Sequence, residues 1–570
     1  MEYRGNNVSK GIAIGNVYHY EPFAAQVRAE HIAPEGVEAA LAEYGRAREA
    51  AAGELARIRA QLEAQGASEA KIFAAHADIL MDEAMDEDIR CSITMDHMDP
   101  GWAVDSVYGQ YADLLGRAPD PLIRERAADL KDVRARLLRC LAGAEERSLA
   151  ALDGPVVVVA RDLLPSDTAT LDRANVLAIV TETGGATSHS AILARSYEIP
   201  AILGIPGVFA ALLEGETVVA DAVEGVLVAQ PDEALLAGYA QRREAYRRKA
   251  EEEKRYLPAK PVTADGVSVE VELNIGSVKD EELSAAPYVD GVGLFRTEFL
   301  YMNRAQAPDE EEQYQIYAKA LKTFAPRPLT LRTLDIGGDK QVECLPLPAE
   351  QNPFLGNRAL RFCFAHEELF LTQLRAALRA SVHGQLWLMF PMVGSLEDIR
   401  RAKALVERAK GQLTAEGRPF AGDIKLGVMV EIPALALLAE QVAREVDFAS
   451  IGTNDLTQYL LAADRGEPAV AGYYQMYHPA VFRLIRMVSD AFTAAGKPLC
   501  VCGELGGDLL GAAALIGLGL RRLSMGAAAL APVKKLICSL TLPQAQAAAQ
   551  AACAAATAGE AEAALGGAIS

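Results

Sequence analysis

The spacing of apolar positions divides the chain into regimes. Residues 8–20 alternate loosely, with Gly11, Gly15 and Tyr18 among them, and predict one or two short strands. From 34 to 141 apolar residues recur at three- and four-residue steps among Ala, Glu, Arg and Leu, which predicts a helical bundle. Strand-like runs return at 155–160, 176–180, 201–203, 217–220 and 226–229, alternating with helical patterns, as in an α/β layer domain. The bundle therefore reads as an insertion into that domain. Residues 232–256 form one charged helix with Arg–Glu pairs at helical spacing, ended by Pro258 and Pro261.

Beyond residue 267 short apolar runs recur at 269–275, 291–295, 329–335, 386–391, 425–430, 448–452, 498–502 and 522–524. Eight strands alternating with helices over about 270 residues match a (β/α)8 barrel. The fold expected is multidomain α/β. Residues 1–21 with 148–231 form one α/β domain, and 22–147 form the inserted bundle. A linker helix occupies 232–260, the barrel 261–542, and an Ala-rich tail 543–570. The tail reads as a frayed or partly disordered helix with no assigned function.

Composition narrows the class. The chain has 570 residues, with 56 basic against 77 acidic and a net charge of −21. That balance disfavours binding to nucleic acid or anionic membrane and suits a basic protein partner. The eight cysteines show no Cys-x-x-Cys pair, the start lacks a signal layout, and no apolar run is long enough to span a bilayer. A cytoplasmic protein with reduced thiols is expected.

Two stretches carry chemistry. The first is Thr181-Glu182-Thr183-Gly184-Gly185-Ala186-Thr187-Ser188-His189-Ser190, a strand end, a glycine turn and a helix start. A helix N-terminus offers free N–H groups and partial positive charge, so His189 sits where a phosphoryl group is welcome. Its imidazole is a nucleophile that can be neutral at pH 7. The bland alternative is a capped helix with one polar histidine. The second stretch is the set of barrel strand ends: Arg296, Arg332, Lys340, Glu431, Asn454, Asp455, Arg465 and Cys502. Arginines grip phosphate and carboxylate in a fork. Glu431 and Asp455 suit Mg²⁺, or simply neutralise the arginines. A thiol at Cys502 is open between nucleophile, proton donor and filler. Cys500, one step deeper on the same face, is expected to pack inside the barrel.

The Gly-Gly-x-x-Ser-His-Ser stretch resembles the phosphohistidine motif shared by Enzyme I of the phosphoenolpyruvate:sugar phosphotransferase system, phosphoenolpyruvate synthase and pyruvate phosphate dikinase. The barrel motifs resemble Enzyme I in particular: Gly293-Leu294-Phe295-Arg296-Thr297-Glu298, Asp335-Ile336-Gly337-Gly338-Asp339-Lys340, Gly427-Val428-Met429-Val430-Glu431, Gly452-Thr453-Asn454-Asp455 and Cys502-Gly503-Glu504. The resemblance covers nearly all of residues 1–540. It implies that the α/β domain swivels and carries the phosphorylated His189; Thr168 is a candidate to orient or tune the imidazole, the alternative being an ordinary helix cap. It implies phosphoenolpyruvate contacts from Arg296, Arg332, Asn454, Asp455 and Arg465, with Lys340 and Arg358 grouped beside them. It further implies Mg²⁺ on Glu431 and Asp455, and proton donation to the enolate by Cys502, giving pyruvate. Asn357 departs from the family pattern and bears on local packing. The resemblance also implies docking of the phosphocarrier HPr on the inserted helices at His76, Asp82, Glu83 and Arg126, dimerisation through the barrel, and a hinge near 257–260 and around the inserted helices. The dikinase and synthase need an ATP-binding domain and the nitrogen-system Enzyme I a sensor domain, neither of which is expected here. A non-catalytic phosphoenolpyruvate sensor is disfavoured by the intact His189 and Cys502.

Overall fold

The computed structural model describes all residues except 22–26, 65–69, 117–120, 145–148, 150–151, 153, 164–166, 168–170, 185–188, 198, 303, 305, 339, 341, 343, 346, 349 and 570. The chain divides into two compact units, Met1–Lys249 and Ala250–Ser570.

In the first unit, eight strands among the described residues form one sheet. They are β1 (Glu2–Arg4), β2 (Asn6–Ser9), β3 (Ile12–Tyr20), β4 (Val156–Ala160), β5 (Val176–Thr181), β6 (Ala201–Leu203), β7 (Thr217–Asp221) and β8 (Val226–Ala229). The order is β1-β8-β7-β3-β4-β5-β6-β2, parallel from β3 to β6 and antiparallel at its two ends. The unbroken apolar run of β4 follows from burial on both faces. Val157 and Val159 join one core cluster and Val158 and Ala160 the other. β1, a polar three-residue strand with no apolar alternation, is the one the pattern did not predict.

Between β3 and β4 run the inserted helices α1 (Val37–Ala64), α2 (Ala70–Leu80), α3 (Glu83–Thr94), α4 (Pro100–Gly116) and α5 (Pro121–Leu141). They enclose their own core around Tyr44, Leu55, Phe73, Ile89, Val104 and Leu137. The charged helix Glu233–Lys254 follows β8. Leu236, Tyr239 and Tyr246 pack on Ile12, Val219, Val226 and Val228, and Arg242 Nη2 lies 3.0 Å from the buried Asp221 Oδ2.

The second unit is a closed parallel barrel of β9 (Glu270–Ile275), β10 (Val292–Arg296), β11 (Pro328–Arg332), β12 (Gln385–Phe390), β13 (Lys425–Val430), β14 (Phe448–Ile451), β15 (Leu499–Val501) and β16 (Arg522–Met525). The expected strand at 329–335 ends early, at Arg332. The apolar pattern continues through Leu334 and Ile336, but these residues leave the ladder and turn at Gly337 and Gly338, both with positive φ.

The tail corrects an expectation. It is neither frayed nor disordered: helices Leu542–Ala554 and Ala558–Ile569 close over the barrel, burying Ala545, Ala548, Ala549, Ala552, Cys553, Ala561 and Leu565 in the main core. Small side chains let the first of these helices approach helix Leu509–Gly517 closely. A Cβ on Gly517 would fall 2.0 Å from the Ala545 carbonyl oxygen, which is backbone and cannot swing aside. Gly517→Ala is therefore expected to destabilise the barrel by about 1–3 kcal/mol in denaturant unfolding.

The hinge expected at 257–260 also needs correction. The buried Lys534 donates from Nζ to the carbonyls of Leu257 (2.7 Å), Ala259 (3.1 Å) and Tyr288 (2.5 Å), and Lys535 pairs with Glu252 at 3.0 Å. These bonds fasten the segment to the barrel.

Candidate active site

Alternation along the barrel strands sorts side chains between the outer core and the interior. Outward residues such as Leu329, Leu331, Val428, Val430, Ile451 and Val501 join the main core under the helices. A separate cluster of Leu294, Trp387, Met389, Met429, Phe448 and Cys502 fills the interior. The next inward positions, at the C-terminal strand ends, are polar. A register shift in β10 between Val292 and Phe295 brings Arg296 directly beside Arg332 of β11. Glu431 follows β13, Asp455 lies in the helix Thr453–Leu461 after β14, and Cys502 follows β15.

The charged groups interlock. Arg332 Nη2 reaches Glu298 Oε1 at 2.5 Å and its Nη1 lies 3.1 Å from Asp335 Oδ2. Lys340 Nζ donates to Glu298 Oε1 (2.8 Å) and Asp335 Oδ2 (2.9 Å). Arg358, fully buried, donates to Asp335 through Nε (3.0 Å) and Nη2 (3.2 Å), and to Asp455 through Nη1 and Nη2 (both 3.2 Å). It also donates from Nη1 to the Tyr459 hydroxyl at 3.2 Å. Gly337 and Gly338 leave room for it: a Cβ on Gly337 would lie 3.1 Å from Arg358 Cα. Burial opposes charge on Glu298, Arg332, Asp335 and Arg358, and the partners outweigh it. Burial pushes Asp335 up, yet Lys340, Arg332 and Arg358 hold it well below the usual carboxylate range. Glu298 is likewise raised by burial but held low overall by Arg332 and Lys340. Burial would lower Arg358, while Asp335 and Asp455 keep it firmly protonated.

Two groups differ. Arg296 is half-buried and makes no ion pair or hydrogen bond among the described residues, so its guanidinium is available to an anion. Glu431 accepts from the Met392 N–H at 2.5 Å through Oε1, and its buried Oε2 has no hydrogen-bond partner among the described residues. Met392 takes a positive φ of 53° in this arrangement. Burial, with Asp455 and Asp335 nearby, pushes Glu431 up to about 8. An orphaned oxygen in a buried carboxylate beside Asp455 fits a divalent cation. No three His, Cys, Asp or Glu groups among the described residues assemble to hold one alone. Two carboxylates with the shell completed by substrate oxygens and water is the habit of Mg²⁺.

Asn454 is clipped to Glu504, donating from Nδ2 to Oε1 (3.0 Å) and accepting the Glu504 N–H (2.9 Å). Arg465 Nη1 lies 3.9 Å from Asp455 Oδ1. Cys502 is buried: burial pushes its thiol up to about 11, while Ser450 and Arg332 pull it partly down, so the thiol keeps its proton at neutral pH. Cys500 lies inside the barrel, its thiol 3.2 Å from Glu272 Oε2. Sequence reasoning quoted Glu298, Asp335 and, at the end of the Gly452–Tyr459 stretch, Tyr459 without giving them a task, and missed Asn274. Inward parity at a strand end or its following turn was the available signal.

In the first unit, β5 ends at Thr181, Gly184 takes a positive φ of 99°, and His189 opens the helix His189–Ser196. Residues 185–188 and Thr168 lie outside the described residues. Of the expected docking residues, Asp82 is exposed and caps α3, accepting the Met85 N–H at 2.9 Å. Glu83, Arg126 and Met81 are likewise exposed. His76 is not a surface residue: it is fully buried, with Nε2 3.3 Å from Asp129 Oδ1, because it lies on the face of α2 that packs beneath the bundle surface. It supports that surface from below.

A barrel whose C-terminal rim holds a buried arginine–carboxylate web and a guanidinium unpaired among the described residues defines a protein that handles a small anionic ligand. The PEP-binding domain of PEP-utilising enzymes matches residues 249–542, their mobile domain 152–225, and their N-terminal part 4–126. The phosphoenolpyruvate-protein phosphotransferases of Bacillus sp. (strain S) and Geobacillus stearothermophilus are each 42% identical over 542 residues, covering 95% of this chain and 93% of the relative. That of Staphylococcus carnosus (strain TM300) is 41% identical over 541 residues, covering 95% and 94%. An NMR structure of Enzyme I is 36% identical, covers 43% of this chain and 99% of that one, with a TM-score of 0.39. The chain belongs to the PEP-utilising enzymes, in the phosphoenolpyruvate-protein phosphotransferase (Enzyme I) family.

Proposed function

We propose that the protein transfers the phosphoryl group of phosphoenolpyruvate to His189 and then to a histidine of the phosphocarrier HPr, releasing pyruvate as the first step of sugar uptake. The observation that carries this reading is the barrel rim, where a self-balanced network surrounds an unpaired Arg296 and an orphaned Glu431 oxygen. Arg296 and Arg332 grip the phosphoryl and carboxylate oxygens, with Asn454, Arg465 and Lys340 alongside. Glu431 and Asp455 would hold Mg²⁺, which draws charge off the phosphoryl oxygens. His189 attacks phosphorus in line through Nε2. The P–N bond forms as the P–O bond to the enolate breaks. Cys502 gives its thiol proton to C3 of the enolate, and its thiolate regains a proton from solvent. Thr168 orients the imidazole. Arg358 sets Asp335 and Asp455 rather than touching substrate.

The exposed Asp82 and Glu83, with Met81 and Arg126, suit a partner face that is basic and apolar, where charge speeds the encounter. The inserted helices are thus the HPr-docking domain, and the barrel is the dimerisation domain. Among the described residues no helix is long and apolar enough to cross a membrane, and a cytoplasmic homodimer fits the reading. Incubating the protein with labelled phosphoenolpyruvate and Mg²⁺ is expected to give acid-labile, alkali-stable label on the protein. Label should pass to HPr on its addition, and a chelator should prevent labelling until Mg²⁺ is restored. Binding of phosphoenolpyruvate without labelling would instead mark a sensor.

A further inference from the structure

We infer that Asn274, held by Ser524, is a positioning residue that fixes Cys502 for proton delivery; this rests on the reading of Cys502 as the proton donor. The regular ladder between β15 and β16 pairs Cys500 with Arg522 and Val501 with Leu523, and stops there. Cys502 lies one residue beyond. Its N–H still donates to the Ile451 carbonyl of β14 at 3.1 Å. Its carbonyl accepts from Asn274 Nδ2 at 3.1 Å, from β9, two strands away around the barrel. The intervening strand β16 supplies Ser524, whose hydroxyl donates to Asn274 Oδ1 at 2.5 Å. That bond assigns the amide oxygen to Ser524 and so turns the amide NH₂ toward Cys502. The main chain of Cys502 is thereby fixed on both sides, and with it the direction of the Cα–Cβ bond that aims the thiol.

The space for this strut is built in. A Cβ on Gly293 of β10 would lie 2.4 Å from Ser524 Cβ and 2.5 Å from its Oγ, so a side chain there would displace the hydroxyl. Ser524 itself is fully buried. Proton transfer to carbon depends steeply on donor position: displacement of about 1 Å costs up to about 100-fold. Among the described residues the Asn274 side chain bonds only to Cys502 and Ser524 and not to the charged network, so its loss should spare phosphorylation and impair protonation.

The test uses the full-length enzyme with phosphoenolpyruvate deuterated at one C3 position, in tritiated water. The wild type should yield pyruvate with a methyl group of one configuration, and Cys502→Ala should yield a racemic methyl group from enolpyruvate protonated in solution. Asn274→Ala and the isosteric Asn274→Asp should both lose most of the configurational purity. Ser524→Ala should lose part of it. All three should form phosphohistidine within about threefold of the wild-type rate, with KM for phosphoenolpyruvate unchanged, which also reports correct folding. A configurationally pure product from Asn274→Asp that still forms phosphohistidine overturns the strut. A pure product from Cys502→Ala overturns the assignment of Cys502 instead. An equal fall in phosphohistidine formation and protonation makes Asn274 merely structural and also overturns the proposal.

Discussion

Arg358→Met is expected to cost about 3–5 kcal/mol of barrel stability and to lower the rate of pyruvate formation by about 100-fold or more. Arg358 is fully buried and forks onto two carboxylates that are themselves buried. Removing it leaves Asp335 to Arg332 and Lys340, and leaves Asp455 with Arg465 at 3.9 Å. An uncompensated buried carboxylate is far costlier than the pair is stabilising. Asp455, no longer held by the Arg358 fork, should then turn, and its alignment with Glu431 is lost. Arg358→Lys should not rescue the activity, because one ammonium cannot present the planar fork that bridges two carboxylates. Denaturant unfolding measures the first effect, and single-turnover pyruvate release at low temperature, where the variant stays folded, measures the second. Full activity in Arg358→Met would refute the scaffolding role.

His189→Ala is expected to abolish protein labelling completely and to leave the Kd for phosphoenolpyruvate within about twofold of wild type. The acceptor belongs to the first compact unit and the anion-binding rim to the second. In the proposed reaction the imidazole supplies the atom that forms the P–N bond, and the rim nitrogens among the described residues, being guanidinium, ammonium and amide groups, do not substitute for it. Calorimetric titration and acid-labile label, measured on the same preparation, separate the two functions. Weakened binding by more than about tenfold would contradict the two-site reading.

Much of this architecture was legible because the barrel strands are short, strongly apolar and separated by helical patterns. Their inward-facing ends are charged in a way that period-two alternation exposes. What could not be read was pairing. Arg358 reaches Asp335 across 23 positions and Asp455 across 97, and no local pattern records such meetings. Arg358 consequently looked like one more ligand for an anion, whereas its donors are already occupied. His76 shows a different limit: a polar side chain in an amphipathic helix reads as surface until its neighbours in three dimensions are known. The Ala-rich tail misled because low complexity usually signals disorder, while here it is the means of close helix packing against Gly517. The strand end at 329–335 overran because Leu334 and Ile336 continue an apolar run after the backbone has left the sheet.

Lys534 has a mechanical corollary. With its ammonium group gripping three carbonyls and Lys535 pinning Glu252, the stretch from 252 to 259 travels as cargo of the barrel. The boundary between the two compact units, at Lys249 and Ala250, therefore falls just before this stretch, inside the charged helix.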